Sequence, residues 1–130
     1  MSYAKQIFLV VFFVLLATSS SSYGKHLYEG EEYLAFAEEM PQPIGGLQAI
    51  YKLIEYPELA KNAGLQGKVY VLAFIDASGN VEDVKVIKGI GGGCDEATVK
   101  AVKQCKFTPG KSKGNNVKVK MSLQIQFKLK

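Results

Sequence analysis

The sequence has no arginine and no tryptophan, one histidine and two cysteines in 130 residues. Each scarcity removes a class of chemistry. All sixteen basic residues are lysine. Arginine is the residue that grips phosphates and guanine edges with two parallel bonds, so its absence argues against specific nucleic-acid recognition despite a pI near 9.0. The interleaved aromatics of a single-strand binder are missing too. His26 stands alone, and a lone histidine is far more often a bystander than a metal ligand, so no metal or other cofactor is expected. Residues 89–93 form a glycine-rich stretch, but the third glycine of a dinucleotide fingerprint is replaced by Cys94. No acidic residue follows at the required distance, and a Walker lysine is lacking as well.

The two cysteines form no C-x-x-C pair. A helix spanning Cys94 to Cys105 holds them about 16 Å apart, whereas a disulfide needs Cα atoms within about 7 Å. They share a face with Ala97 and Ala101, which reads as two reduced, buried thiols. The enzyme alternative is a reactive Cys94 at a helix N-terminus, where a thiol pKa can fall. The only imidazole lies far off in the sequence, so no enzyme is expected.

Charge is unevenly placed. Residues 25–60 carry seven Glu and two Lys, a net of −5, while residues 61–130 carry thirteen Lys and five acids, a net of +8. Two readings stay open: a solvated surface behind an acidic lead-in, or a basic face for anionic lipid, cell-wall polymer or acidic peptide.

Residues 1–24 read as a secretory signal. Lys5 supplies the positive end, residues 7–17 are an apolar run of eleven, and residues 18–24 are small and polar. Cleavage before Lys25 is expected. Eleven helical residues rise about 16 Å against a bilayer core of about 30 Å, which disfavours the alternative of an inner-membrane anchor facing the periplasm. No cysteine follows the run to carry a lipid.

Residues 25–43 form an acidic lead-in that Pro41 and Pro43 keep from becoming a long helix; residues 33–40 are expected as a short helix or a mobile segment. The domain proper is placed at 44–130. Leu47, Ile50, Tyr51 and Ile54 make an apolar helical stripe. Pro57 opens a second short helix at its first position, with Leu59, Ala60 and Ala63 inward and Gly64 as its left-handed stop. Residues 69–75 are apolar without a polar break, the pattern of a central strand. Residues 76–80 are a hairpin turn with Gly79 at positive φ. Residues 81–88 return as a strand, with Val84 and Val86 inward. Asp95 is placed as the cap of a helix reaching about Gln104. From 117 to 130 apolar and polar residues alternate perfectly, which predicts one strand about 46 Å long. The fold class is α+β: a three-stranded antiparallel sheet with two helices packed on one face.

Several segments, in order, resemble the C-terminal domain of the TonB energy-transducer family. Tyr56-Pro57-Glu58-Leu59-Ala60 and Gly64-Leu65-Gln66-Gly67-Lys68-Val69 are similar to its opening motif, and residues 76–81 to its hairpin. Residues 89–96 resemble the start of its second helix, Phe107-Thr108-Pro109-Gly110-Lys111 the turn before its last strand, and residues 40–46 the lead-in of some members. The resemblance covers about 40–130. It implies a periplasmic module that joins an inner-membrane motor complex to TonB-dependent outer-membrane transporters. It also implies that the module grips their TonB-box peptide beside the last strand. Carried onto this sequence, the peptide site is Val117, Lys118, Val119, Lys120, Met121, Ser122, Leu123, Gln124 and Ile125, with Tyr56 and Pro57 as the other family hallmark. An edge strand offers unpaired backbone groups for strand addition; self-pairing into a homodimer and an inert edge stay open beside it. Tyr56 packing on the sheet and Pro57 starting its helix are the purely structural reading of that pair. No proline-rich spacer is present, which leaves the binding half of the family's role better supported than motor coupling. The alternative function is a structural or cell-wall-associated protein using a Lys-rich face.

Overall fold

The structure is a computed structural model that describes residues 33–130. The segment read as a secretory signal, with its expected cleavage point, and the lead-in through residue 32 lie outside the described residues.

Strand β1 (Gly67–Ile75) is the unbroken apolar run, and it takes the centre of the sheet, between β2 (Val81–Lys88) and a C-terminal strand. Both pairings are antiparallel. Val69, Val71, Ala73 and Ile75 are fully buried on one face. Tyr70, Leu72 and Phe74, on the other, are half-buried. No second layer covers that face among the described residues. Tyr33 instead sets its ring edge-on to Phe74 at 5.1 Å, and the Lys85 ammonium lies 5.3 Å from the same ring.

The helices all add to the first face. They are α1 (Leu47–Leu53), α2 (Glu58–Asn62) and α3 (Cys94–Gln104). Ile50, Ala60, Cys94, Ala101 and Val102 meet Val69, Val71, Ile125 and Phe127 in one core. The expected α+β arrangement is therefore present, with the amino-terminal helical region split into two short pieces. α2 is little more than one turn, so one residue faces the sheet. Ala60 is that residue; Leu59 is 72% exposed and Ala63 is exposed, contrary to the inward placement expected of them. Pro57 stands just before the helix with extended ψ of 139°, and Gly64 ends it at φ 65°.

The fourteen-residue strand expected at the C-terminus is broken. Val117 belongs to β4 (Asn115–Val117), which pairs with β3 (Gly110–Ser112), while β5 (Val119–Phe127) pairs with β1. The alternation continues through the break, but the partner changes at Lys118. The corner is crowded: a Cβ on Gly110 would lie 2.5 Å from Val119 Cγ2.

Asp95 does not cap α3. Gly93 holds the cap position at φ 86°, without a side-chain bond. The Asp95 carboxylate, at the second helical position, accepts the N–H of Ile90 at 2.8 Å and that of Gly91, pinning the glycine loop. Gly89 is required beneath it, because a Cβ there would sit 2.1 Å from Asp95 Oδ2. Val86 faces the helices as expected, yet lies 44% exposed at the sheet margin.

Residues 33–43 are neither helical nor loose. They form an extended strap. Leu34 bridges Val119 in parallel, Glu39 exchanges both backbone bonds with Lys111 at 2.9 Å, and Gln42 accepts the Thr108 N–H at 2.8 Å. Ala37 and Pro41 are buried. Two prolines without N–H groups cannot join a helix ladder, and the strap finds its bonds on β3 and its approach instead. Cys94 and Cys105 are both buried and unbridged, as expected.

Candidate functional site

A three-stranded sheet has two edges, and these two are built differently. On β2, register shifts interrupt the pairing near both ends, and the N–H of Val84 is taken by its neighbour Asp83 at 2.8 Å. Bulges and local capping are how an edge is closed to other chains. On β5 nine consecutive residues pair with β1 without a shift. That edge is straight.

Backbone groups alternate along a strand, so every second residue of β5 turns its N–H and C=O away from β1. Leu34 identifies which ones. Its N–H donates to the Lys118 carbonyl at 2.8 Å, and its carbonyl accepts the Lys120 N–H at 2.9 Å. The outward set is thus Lys118, Lys120, Ser122, Gln124 and Gln126. At the far end the Gln126 N–H donates to the Tyr51 hydroxyl at 3.1 Å. Between these two contacts, the backbone N–H and C=O of Ser122 and of Gln124 have no partner among the described residues. The open part of the edge is a two-residue window, bounded by Leu34 and Tyr51.

The residues expected in a peptide site fall into three groups. Lys118, Lys120, Ser122 and Gln124 present backbone outward. Val119, Met121, Leu123 and Ile125 bond to β1 and turn their side chains toward the helices, where Val119, Leu123 and Ile125 are buried. Val117 lies in β4, off this edge. Tyr56 and Pro57 stand apart from the window. The Tyr56 ring meets Phe127 edge-on at 5.3 Å, and its hydroxyl donates to the Leu65 carbonyl. Burial, and then the nearby Cys94, pushes its phenol pKa up. Pro57 covers Gly93, where a Cβ would come within 3.2 Å of the proline ring. Both residues line a cleft of about 670 Å³ between α2 and α3, with Lys61, Ala97, Lys100 and Gln104.

Tyr33, Leu34 and Tyr51 are the site residues that sequence reasoning missed. Tyr51 sits in the helical stripe and reads as core, but a tyrosine hydroxyl at a core margin needs a partner; that need was the available signal. Around the window, Lys118 pairs with Glu82 at 3.5 Å and lies 5.4 Å from the centre of the Tyr33 ring. Among the described residues there is no cluster of metal-ligating side chains, and no helix is long and apolar enough to cross a membrane.

Comparison with known proteins places these features in context. The family described as "Gram-negative bacterial TonB protein C-terminal" matches residues 52–129. Protein tonB2 of Pseudomonas aeruginosa is 38% identical over 76 residues, which is 58% of this chain and 28% of that protein. Protein TonB of Vibrio cholerae is 32% identical over 75 residues, 57% of this chain and 31% of that protein. The chain therefore spans about three-tenths of the length of these curated relatives. The solution structure of the Pseudomonas aeruginosa TonB C-terminal domain aligns with a TM-score of 0.48 at 27% identity, covering 58% of this chain and 78% of that one.

Proposed function

Because this chain belongs to the Gram-negative TonB C-terminal family, we propose that its sheet domain is a non-catalytic protein-binding module of the periplasm. Its guest is the TonB-box peptide of an outer-membrane transporter, added as a strand along β5 in support of energy-dependent transport. The observation that carries this reading is the straight β5 edge with the Ser122 and Gln124 backbone groups unpartnered among the described residues. Main-chain bonds there supply affinity with little demand on guest sequence. The lysines flanking the edge oppose uncontrolled pairing with other strands. Coupling to an inner-membrane motor complex belongs to the same reading where the N-terminal segment stays uncleaved. A homodimer through the same edge competes with the guest for it.

Titrating the protein with a peptide from a transporter plug tests the proposal. Amide signals of Ser122 and Gln124 move on addition if it holds. Unmoved signals from 119 to 127 at millimolar peptide refute it.

A second reading draws on the sheet's outer face. Lys68, Lys85, Lys88 and Lys120 share it with half-buried Tyr70, Leu72 and Phe74, against a single acid, Asp83, in the paired register. That suits a cell-wall-associated structural role. Salt-sensitive pelleting with peptidoglycan, unaffected by the transporter peptide, distinguishes it.

A further inference from the structure

The window on β5 is short because the chain itself fills the place next to it. Leu34 makes there the two backbone bonds that an added strand makes: one to the Lys118 carbonyl at 2.8 Å and one from the Lys120 N–H at 2.9 Å. Tyr33 anchors the same spot. Its ring sits edge-on against Phe74 at 5.1 Å, with the Lys118 ammonium 5.4 Å from its centre. These contacts are those of a bound aromatic–aliphatic pair, provided in cis.

The strap is unevenly held. From Ala37 to Ile44 it is fastened by buried Ala37 and Pro41, by the double Glu39–Lys111 bond, and by the bonds of Gln42 and Ile44 to Thr108 and Lys106. Between these fastenings and Tyr33–Leu34, Phe36 is 78% exposed and Leu34 itself 39%. The Tyr33–Leu34 pair is therefore tied to the sheet by its own contacts, separate from the fastenings of the rest.

We propose that Tyr33 and Leu34 are a built-in competitor for the β5 edge, and that the place they hold is a subsite for an aromatic residue followed by an aliphatic one in an extended guest. The inference rests on the reading of β5 as a guest edge. It adds that a guest longer than the Ser122–Gln124 window must displace the pair. An edge-on contact with Phe74 together with the Lys118 ammonium over the ring selects the aromatic residue. The two backbone bonds then fix the residue that follows.

The test uses the full chain and a synthetic peptide of its own residues 30–36 added in trans. Leu34→Pro deletes the N–H that bonds Lys118, and Tyr33→Ala deletes the ring. In the double variant the peptide moves the Lys120 and Ser122 amide signals and binds about tenfold tighter than to the wild type. The same peptide with alanine in place of its tyrosine binds the variant several-fold more weakly. Equal affinity for wild type and variant, or no binding to a variant whose β1 amides are unchanged, overturns the proposal. A second measurement needs no variant. In the wild type, hydrogen exchange at Lys120, bonded to Leu34, runs far faster than at Met121, bonded to β1; equal protection also overturns it. The transporter-peptide titration on the wild type reports on the proposed function separately, so either idea can fail alone.

Discussion

The hydroxyl of Tyr51 accepts the backbone N–H of Gln126 at 3.1 Å, so a side chain from α1 closes one end of the β5 edge. Tyr51→Phe keeps the ring and removes that acceptor. The expected cost is about 0.5–1.5 kcal/mol, read by denaturant unfolding. The more specific outcome is faster hydrogen exchange at Gln126 with Ile125, bonded to β1, unchanged. The variant's window gains one N–H, so it binds an extended peptide at least as tightly as the parent.

Ser122→Pro tests the window itself. The Ser122 N–H points away from β1, so proline deletes a guest bond without deleting a ladder bond, and proline is tolerated on an edge with its nitrogen facing outward. Melting temperature is expected to shift by only a few degrees, while peptide affinity falls roughly tenfold or more. Leu123→Pro, one residue on, breaks the β1 ladder and unfolds the domain. Equal loss of stability in both variants contradicts the assignment of outward residues.

Much of this fold was legible because single residues carried the pattern. The run 69–75 without a polar break gave the central strand, and Gly64 and Gly79 marked a helix stop and a turn where the structure has them at φ 65° and 88°. The alternation over 117–130 identified which side chains are buried. What it does not contain is the partner of each residue. Val117 and Val119 follow one period, yet they bond to different strands. Leu59 fits an inward helical position, but α2 is too short to turn a second residue to the sheet. Asp95 has the chemistry of a cap and spends it on the loop before the helix. The limits of the candidate site were the least readable part, since Leu34 and Tyr51 reach β5 from 85 and 75 residues away along the chain.

Gly79 couples the hairpin to the approach of β3. Its φ is 88°, its carbonyl accepts the Phe107 N–H at 2.9 Å, and a Cβ would fall 2.0 Å from the Phe107 carbonyl oxygen. Gly79→Ala therefore meets both backbone strain and a clash with main chain, which cannot swing aside. A loss of at least about 2 kcal/mol is expected, measured by urea unfolding. Gly114→Ala has positive φ, 78°, but nothing within 4 Å of the added carbon, and is expected to cost about 1 kcal/mol.

The thiols give an alkaline limb to the stability. Burial pushes the Cys94 thiol up, with the Asp95 and Glu96 carboxylates adding to the effect, and burial pushes Cys105 up as well. The folded state thus binds these protons more tightly than the unfolded chain does. Their contribution is complete below the unfolded value of about 8.5 and is lost as pH rises from there through the folded values. Unfolding free energy is expected to fall above about pH 8.5, and Cys94→Ala/Cys105→Ala shows a flatter alkaline limb. Alkylation by iodoacetamide at pH 8 is slow in the native protein and rapid in denaturant.

Asp76 contributes to the acid limb. Its Oδ1 accepts the Asn80 N–H at 2.8 Å and the Ser78 N–H at 2.9 Å across the β1–β2 turn. The Asn80 N–H foremost, with Ser78, the Asn80 side chain and the Lys118 charge in the same sense and burial opposing, holds its carboxyl below the usual value. Here the unfolded chain binds the proton more tightly. The stabilisation is therefore present above the unfolded value of about 3.9 and disappears as pH falls below it through the folded value. Asp76→Ala removes both turn bonds and the titration together. At pH 7 the variant is less stable than the parent, and the gap between them narrows as pH falls from about 5 to 2. Because Lys118 also faces this carboxyl and carries the first outward carbonyl of the β5 edge, the variant reports on more than the turn. The Lys120 amide, bonded to Leu34, is expected to exchange faster in Asp76→Ala, while the Ser122 and Gln124 amides are unmoved.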